Sequence, residues 1–396
     1  MVNLFELLLG GAALLTLLPV TVLFAEVLVG VAFRADKSVA PPGERLPLAV
    51  LVPAHNESLV IAKALRAIIP QLAKSDRLLV VADNCSDETA AVAAAEGAEV
   101  IERHDLTLRG KGYALDFGVR HLEREPPQVV IIVDADCQVA ASSIDRLSRL
   151  CSRSQRPVQA LYLMRAGEGA SIKMRIAEFA WAVKNQVRPL GLSQLGLPCQ
   201  LMGSGMAFPW PRIVAAELAT GHIVEDLKLG IEMARVGSPA LFCPEALVTS
   251  YFPASANGAQ GQRARWEHGH IGVILSEAPR LFLDSFKSLN VDLMALGLDL
   301  CVPPLALLTL LVVANWLASI CFFVLAKAPF PFAVTTIEVL LIGLSVFLSW
   351  ARYGRRIISF GSLIYSVVYA LSKIPLYVKF LVARQMDWVR SKRDGD

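Results

Sequence analysis

Five apolar, β-branched residues in a row, Val129-Val130-Ile131-Ile132-Val133, end in two carboxylates one residue apart, Asp134 and Asp136. A run this short and uniformly apolar reads as a strand buried on both faces of a parallel sheet. In open α/β sheets, ligands bind outside the carboxyl ends of the strands. Alternate residues of an extended segment point the same way, so both carboxylates can face one cation. Mg²⁺ takes one or two carboxylates and fills its sphere with phosphate oxygens and water. With no cation between them, two acids at the end of an apolar strand would only repel. Asp134 and Asp136 are therefore read as ligands of a divalent metal, Mg²⁺ or Mn²⁺, against a substrate diphosphate.

The chain has 396 residues, 55% of them apolar, and a mean hydropathy of +0.51. That is too apolar for a simple soluble protein. The excess sits at the two ends. Leu4 to Phe33 carries only Glu6 and Glu26 as charges and exceeds the ~20 residues that a bilayer span requires. No basic region precedes it, so it reads as an uncleaved anchor. Pro303–Ala326 and Phe332–Trp350 are two more candidate spans, joined by a short Pro-containing turn. Basic residues follow the first span (Arg34, Lys37, Arg45), follow the third (Arg352, Arg355, Arg356) and end the chain (Arg384, Arg390, Lys392, Arg393). The positive-inside rule puts all of these segments, and the domain between the spans, in the cytoplasm. Ile357–Val382 is apolar enough to cross, but both flanks are basic and Gly361, Lys373, Pro375 and Lys379 interrupt it. A bent, interfacial or re-entrant pair of helices fits better than a fourth span.

The net charge of +3 implies no nucleic-acid partner. Seven scattered cysteines, none in a Cys-x-x-Cys pair, fit a reducing compartment without a disulfide framework or zinc site.

After the linker Ala40-Pro41-Pro42-Gly43, strand and helix patterns alternate. Strands are expected at Leu48–Val52, Leu78–Ala82, Glu99–Ile101 and Val129–Val133, and helices at Leu59–Ile69, Glu88–Ala95 and Gly112–Glu123. This alternation predicts a parallel sheet with helices on both faces. A less regular half runs from Pro157 to about Ser276, and Arg280–Leu300 has the mixed pattern of an amphipathic helix on a membrane surface.

Several strand-end segments carry candidate chemistry. Pro53-Ala54-His55-Asn56-Glu57 follows the first strand, where a nucleotide could sit or where Asn56 or Ser58 could simply cap a helix. Asp83-Asn84-Cys85-Ser86-Asp87 follows the second; a carboxylate there can accept from a base N–H, although these are also turn residues. Arg109-Gly110-Lys111-Gly112 opens a helix whose N-terminus, with Lys111, favours phosphate. It is neither a GxGxxG fingerprint nor a P-loop. Glu225-Asp226 opens another helix, where the dipole stabilises an anion. Asp226 is the candidate general base toward an acceptor hydroxyl. In Gln262-Arg263-Ala264-Arg265-Trp266, Gln262, Arg265 and Trp266 share one helix face. A guanidinium there can neutralise a departing diphosphate and an indole can stack on a sugar.

Taken together, Asp83, Asp134-x-Asp136, Glu225-Asp226 and Gln262-x-x-Arg265-Trp266 resemble the inverting, membrane-embedded family 2 glycosyltransferases, which include the synthases of cellulose, hyaluronan, chitin and poly-N-acetylglucosamine. The resemblance covers about residues 46–280. It implies an α/β GT-A (Rossmann-like) cytoplasmic domain with flanking transmembrane and interfacial helices. It also implies a nucleotide-sugar donor, expected to be a UDP-sugar, with Mg²⁺ or Mn²⁺ as cofactor. The acceptor is a growing glycan or a lipid-linked molecule, membrane lipid is a partner, and the setting is a bacterial inner membrane, as in exopolysaccharide synthesis. The roles follow: Pro53, His55, Glu57, Asp83, Lys111, Asp134 and Ala135 toward the nucleotide; Asp226, with Glu225, in catalysis; Gly203, Gly205, Gln262, Arg263, Arg265 and Trp266 toward the acceptor and diphosphate. Val224 stands where Thr is frequent in these synthases, and the membrane portion is short, which leaves single-sugar transfer as an alternative to polymer synthesis. A membrane protein that senses a nucleotide without catalysis is the alternative from another class. The domains expected are a transmembrane anchor over 1–35, the GT-A domain over 46–280, an amphipathic interface helix over 281–302, a transmembrane hairpin over 303–350, and interfacial or re-entrant helices with a basic tail over 351–396.

Overall fold

The computed structural model describes residues 4–32, 45–253, 256–327 and 329–382. The linker Ala40–Gly43 and the basic residues Arg34, Lys37, Arg384, Arg390, Lys392 and Arg393 lie outside the described residues. The chain divides into two compact units, one of 34–165, 197–262 and 386–396, the other of 1–33, 166–196 and 263–385.

The first unit is built on a sheet. Strand β1 (Leu48–Ala54) lies between β2 (Arg77–Asp83) and β4 (Val129–Ile132), parallel to both, and β3 (Glu99–Arg103) extends the parallel set beyond β2. Helices Ile61–Ile68, Thr89–Ala95 and Lys111–Leu122 make the crossovers. The first of these buries Ile61, Ala64, Leu65 and Ile68, the spacing of one helix face. Val129 to Val133 are all buried, as a central strand requires.

The parallel sheet expected from the alternation is present in β1 to β4. On its other side β4 pairs antiparallel with β7 (Met206–Pro209). β7 pairs antiparallel with β6 (Val158–Arg165), β6 parallel with β8 (Leu241–Tyr251), and the two-residue β5 (Gln138–Val139) antiparallel with β8. The order is β3-β2-β1-β4-β7-β6-β8-β5. The reversal follows from connectivity: the chain leaves β6 and enters β7 at the same end of the sheet, so β7 must run back along β4. Together with its curled sheet, this makes the unit a GT-A-like core.

The second unit is helical. Leu4–Ala32, Leu305–Ala326, Pro329–Gly354 and Gly361–Val382 are each long and apolar enough to cross a membrane, by length and composition. The last is not one rod. It is a tight turn (Gly361–Ile364) and two short helices, Tyr365–Leu371 and Ile374–Val382. The stretch 281–302, expected as a single amphipathic helix, is the end of one long helix (Ala256–Ser288) and a separate one (Val291–Leu300). Asn290 makes the break: its side chain accepts from the N–H groups of Asp292 (2.9 Å) and Leu293 (3.2 Å), a helix N-cap inside an otherwise amphipathic pattern.

Two features knit this unit. Gly30 and Gly191 let helix Leu4–Ala32 and helix Arg188–Gln194 touch backbone to backbone: a Cβ on Gly30 would stand 2.1 Å from the Val187 carbonyl, and one on Gly191 2.1 Å from that of Glu26. Beside that crossing, buried Arg188 donates from Nε to Glu26 (2.6 Å) and from Nη2 to the Asp299 carboxylate (2.5 Å) and carbonyl (2.7 Å). A buried charge is tolerated only with such partners. Replacing Arg188 with Met strands two carboxylates without a counter-charge, which costs about 3–5 kcal/mol. The variant should melt at a clearly lower temperature in detergent, followed by circular dichroism; an unchanged midpoint would refute the tie.

Candidate active site

The first two strand ends brace each other. β1 carries Pro53 near its end, and His55 just beyond it places Nδ1 2.7 Å from the Asp83 carbonyl of β2. Asn56, in the left-handed region (φ 54), exchanges hydrogen bonds with Ser86, accepting from its N–H at 2.7 Å. The Glu57 N–H donates to Thr89 Oγ1 (2.7 Å) and the Ser58 N–H to Asp87 (3.1 Å). Burial works against the Asp87 anion, but donors from Thr89 and Ser58 outweigh it and hold the carboxyl down at about 2. The segment is thus turn chemistry with a purpose: it fixes the rim on which His55, Glu57 and Asp83 stand.

Asp83 ends β2 and is nearly buried. Arg103, at the end of neighbouring β3, donates to its Oδ1 at 2.7 Å and reaches the Leu108 carbonyl (2.8 Å) with its other arm. The same guanidinium lies 5.5 Å from the Tyr113 ring. Asp83 is therefore an oriented carboxylate in a polar corner suited to a base N–H. Arg103 was not singled out from sequence. Its signal is topological, since it is the residue that a parallel β3 puts beside Asp83.

The centre of the site is a charge cluster around Lys111. Its ammonium lies 2.5 Å from Asp134 Oδ1, donates to the Gly203 carbonyl at 2.6 Å, and stands 3.8 Å from Glu225. Asp226 Oδ2 lies 3.2 Å from where a Cβ on Gly203 would stand, so this φ +95 glycine leaves the carboxylate its space. Burial opposes the charge on Lys111, yet Asp134, Glu225 and Asp226 together raise its affinity for the proton. Burial pushes the Asp134 carboxyl up, Lys111 pulls it down, and Asp136 and Asp226 push it up again. Glu225 is pushed up to about 7, first by burial and then by Asp226, against the attraction of Lys111. Glu225 and Asp226 open helix Glu225–Arg235 and line a cleft with Gly112, Leu115, Met206 and Thr220.

Asp136 sits beyond Asp134 and accepts from Ser250 Oγ at 3.2 Å. Oxygens of both aspartates and the Cys137 sulfur lie within 4.8 Å of one another. Burial, with the Asp136 and Asp134 charges, keeps the Cys137 thiol protonated, so the donors on offer are carboxylate oxygens. That set fits a hard divalent cation such as Mg²⁺ or Mn²⁺.

The loop entering β7 completes the cluster. The Asp134 N–H donates to Ser204 Oγ (3.0 Å), and the Gly205 N–H to the Ile132 carbonyl (2.9 Å). Gly205 has no room for a side chain, since a Cβ would meet Val248 at 2.7 Å and Ala160 at 2.8 Å. Fully buried Gln159 pins this loop, donating to the Ser204 carbonyl (2.9 Å) and accepting from the Met202 N–H (2.8 Å). Gln159 and Ser250 are functional neighbours that sequence reading missed. They sit on strands far along the chain, and nothing local marks them.

Structure thus joins Lys111, Asp134, Gly203, Glu225 and Asp226 in one cluster, with Asp136 alongside. Gln262 ends the sheet-bearing unit's run, whereas Arg263, Arg265 and Trp266 belong to the helical unit. There Trp266 packs on Trp181, ring centroids 4.8 Å apart, and Arg263 reaches the Tyr369 hydroxyl and Met174 sulfur, each at 3.5 Å.

Comparison with known proteins gives the chain a family and a fold. The family model described as "Glycosyltransferase like family 2" matches residues 44–269. A relative from Bacillus subtilis (strain 168), the probable glycosyltransferase YdaM, is 24% identical over 274 residues, 62% of this chain and 60% of the relative. The chain therefore spans less than two thirds of that protein. Among solved structures, the mannosyltransferase PcManGT from Pyrobaculum calidifontis, in complex with GDP-Man and Mn²⁺, matches with a TM-score of 0.56 at 16% identity, covering 95% of this chain and 100% of that one. This likeness is one of fold. The glucosyl-3-phosphoglycerate synthase from Mycobacterium tuberculosis, with Mn²⁺, UDP and phosphoglyceric acid, matches at a TM-score of 0.37 and 21% identity over 57% of this chain and 78% of that one.

Glu225 gives the site a pH signature. Its proton affinity in the folded state, about 7, lies above the ordinary 4.5. Between those values the folded protein holds more protons than the unfolded chain, so stability falls as pH rises through that window. Glu225→Gln removes the loss. The variant should therefore gain melting temperature relative to the unmodified protein on going from acid to mildly alkaline buffer. Parallel curves across that range would refute the assignment.

Proposed function

The chain belongs to glycosyltransferase-like family 2 and is a GT-A enzyme, and from that premise we propose an inverting transfer of a sugar from a nucleoside-diphosphate donor to a growing polysaccharide or lipid-linked acceptor, at the cytoplasmic face of a membrane. The observation that carries this reading is the convergence of Asp134, Glu225 and Asp226 on Lys111, with Asp136 beside them at the carboxyl end of β4. Asp83, held by Arg103, takes the base N–H. Asp134 and Asp136 would hold Mg²⁺ or Mn²⁺, which when bound neutralises charge on the leaving diphosphate.

The chemistry balances around the sugar's anomeric carbon. Asp226 takes the proton of an acceptor hydroxyl as its oxygen attacks that carbon from the face opposite the diphosphate. The new C–O bond forms while the bond to the phosphate oxygen breaks, and the nucleoside diphosphate leaves with the electron pair. Attack from the opposite face turns an α-linked donor into a β-linked product. Lys111 offers a fixed positive charge beside the reacting centre. Arg265 and Trp266 serve the acceptor and diphosphate in this reading, supported by their Gln-x-x-Arg-Trp spacing.

A UDP-sugar is the donor expected from the resemblance. A GDP-sugar is the second reading, because the mannosyltransferase aligned over 95% of the chain was solved with GDP-Man. Uracil and guanine both present an N–H donor to a carboxylate at the Asp83 position. Labelled UDP-glucose, UDP-N-acetylglucosamine and GDP-mannose, each offered to the purified protein, decide between them. Mass spectrometry of the product separates a polymer from a single transfer.

Asp226→Asn should lower turnover by about 10²–10⁴-fold and leave nucleotide binding, read by calorimetry, intact. Turnover equal to that of the unmodified enzyme would remove Asp226 from the base role. A chelator should abolish transfer and Mn²⁺ restore it. Asp136→Asn should need far more Mn²⁺ for the same restoration.

A further inference from the structure

The helical unit holds a second structure that the catalytic reading does not use. On either side of Trp266, residues of helix Ala256–Ser288 are gripped by the segment 361–382. Arg263 meets the Tyr369 hydroxyl. Glu267 accepts from Lys373 and, at 2.6 Å, from the Tyr377 hydroxyl. His268 Nε2 lies 2.9 Å from the Leu376 carbonyl, and its ring packs edge-on against Phe380 at 5.3 Å. Both lists ascend, so the two segments run side by side in the same direction. Tyr369 and Tyr377, one on each short helix, and Lys373, in the turn between them, all meet the long helix. The Glu267–Lys373 pair is nearly enclosed, with side-chain exposures of 11% and 13%.

The opposite face of the segment is apolar and bare. Ile364, Val367, Val368, Leu371, Ile374, Val378 and Leu381 are all exposed, Leu381 to 82%. Their spacing is helical, so the strip is polar toward the long helix and greasy outward. It continues directly from the apolar hairpin, and its first helix touches the span Leu305–Ala326. A greasy face continuous with membrane-length helices calls for acyl chains, the environment of an interfacial amphipathic segment.

We propose that residues 361–382 are a lipid-seated strap that holds the acceptor motif, with Glu267 as the positioning residue through which the strap fixes the helix bearing Arg265 and Trp266. The proposal rests on the acceptor role given to that motif above. Lipid seats the outer face, and the Tyr369–Lys373–Tyr377 face transmits that seating to Glu267, one residue beyond Trp266. Loss of the grip weakens capture of the acceptor more than it slows donor hydrolysis, which Arg265 touches only through the diphosphate.

The test uses the full chain in vesicles of the expression host's polar lipids, which supply the acceptor pool. One labelled nucleotide sugar yields two readouts, free sugar from hydrolysis and label built into lipid or polymer. Glu267→Gln and Lys373→Met should lose roughly 10- to 100-fold in incorporation and distinctly less in free-sugar release. Glu267→Lys combined with Lys373→Glu should recover part of it. Hydrogen exchange should quicken in peptides over 262–270 and 365–382 and stay unchanged over β1 and β4. The strap is overturned if incorporation is unaffected, if hydrolysis and incorporation fall by the same factor, or if exchange changes nowhere in those peptides. Absence of any sugar release from the unmodified protein would instead overturn the transferase reading, while the exchange data would still decide the strap.

Discussion

Three carboxylates and one ammonium meet at the carboxyl end of β4, and the site depends on their balance. Asp134 comes from the end of β4, Glu225 and Asp226 from the first turn of helix Glu225–Arg235, and the Asp134 and Glu225 anions are disfavoured by burial and by their acidic neighbours. Lys111 works against that. It is anchored by the Gly203 carbonyl and lies against Asp134, which keeps at least part of the acid set charged and aimed inward. Without it, the cluster would take up protons and lose both its affinity for a cation and its capacity to accept a proton from substrate.

The same rule governs the helical unit in apolar surroundings. Arg188 is buried only because Glu26 and Asp299 are buried with it. Glu267 is enclosed only because Lys373 and Tyr377 meet it. Thr16 and Glu338 likewise pair at 3.0 Å between two membrane-length helices. Where water is scarce, such polar contacts cost much to leave unmade, and they specify which helix faces meet.

Local signals carried the first half of the catalytic fold. The apolar runs at β1, β2 and β4 each mark a strand without help from elsewhere, and the acids that follow them stand where strand-end logic puts a ligand. The second half was not readable because its order is set by contacts remote in sequence. Nothing near Met206 announces that β7 runs against β4, and nothing near Gln159 or Ser250 announces their contacts with Ser204 and Asp136. Lys111 was read as a phosphate ligand from its helix N-terminus, but its acidic neighbours lie from 23 to 115 residues further along and emerge only on folding. The single amphipathic helix expected at 281–302 failed for a local reason: Asn290 is polar enough to suit the pattern and is also a strong cap, and the cap prevailed.

The reversal at β4 divides the labour of the sheet. Strands β1 to β4 bring the loops that follow them to one edge in the ordinary crossover manner. Because β7 runs backwards, its leading loop, Gly203 to Gly205, arrives at that same edge from a separate stretch of polypeptide. Two walls of the cluster therefore come from separate stretches of polypeptide, so a substitution in the loop ahead of β7 can reshape one wall while the order of β1 to β4 stays as it is.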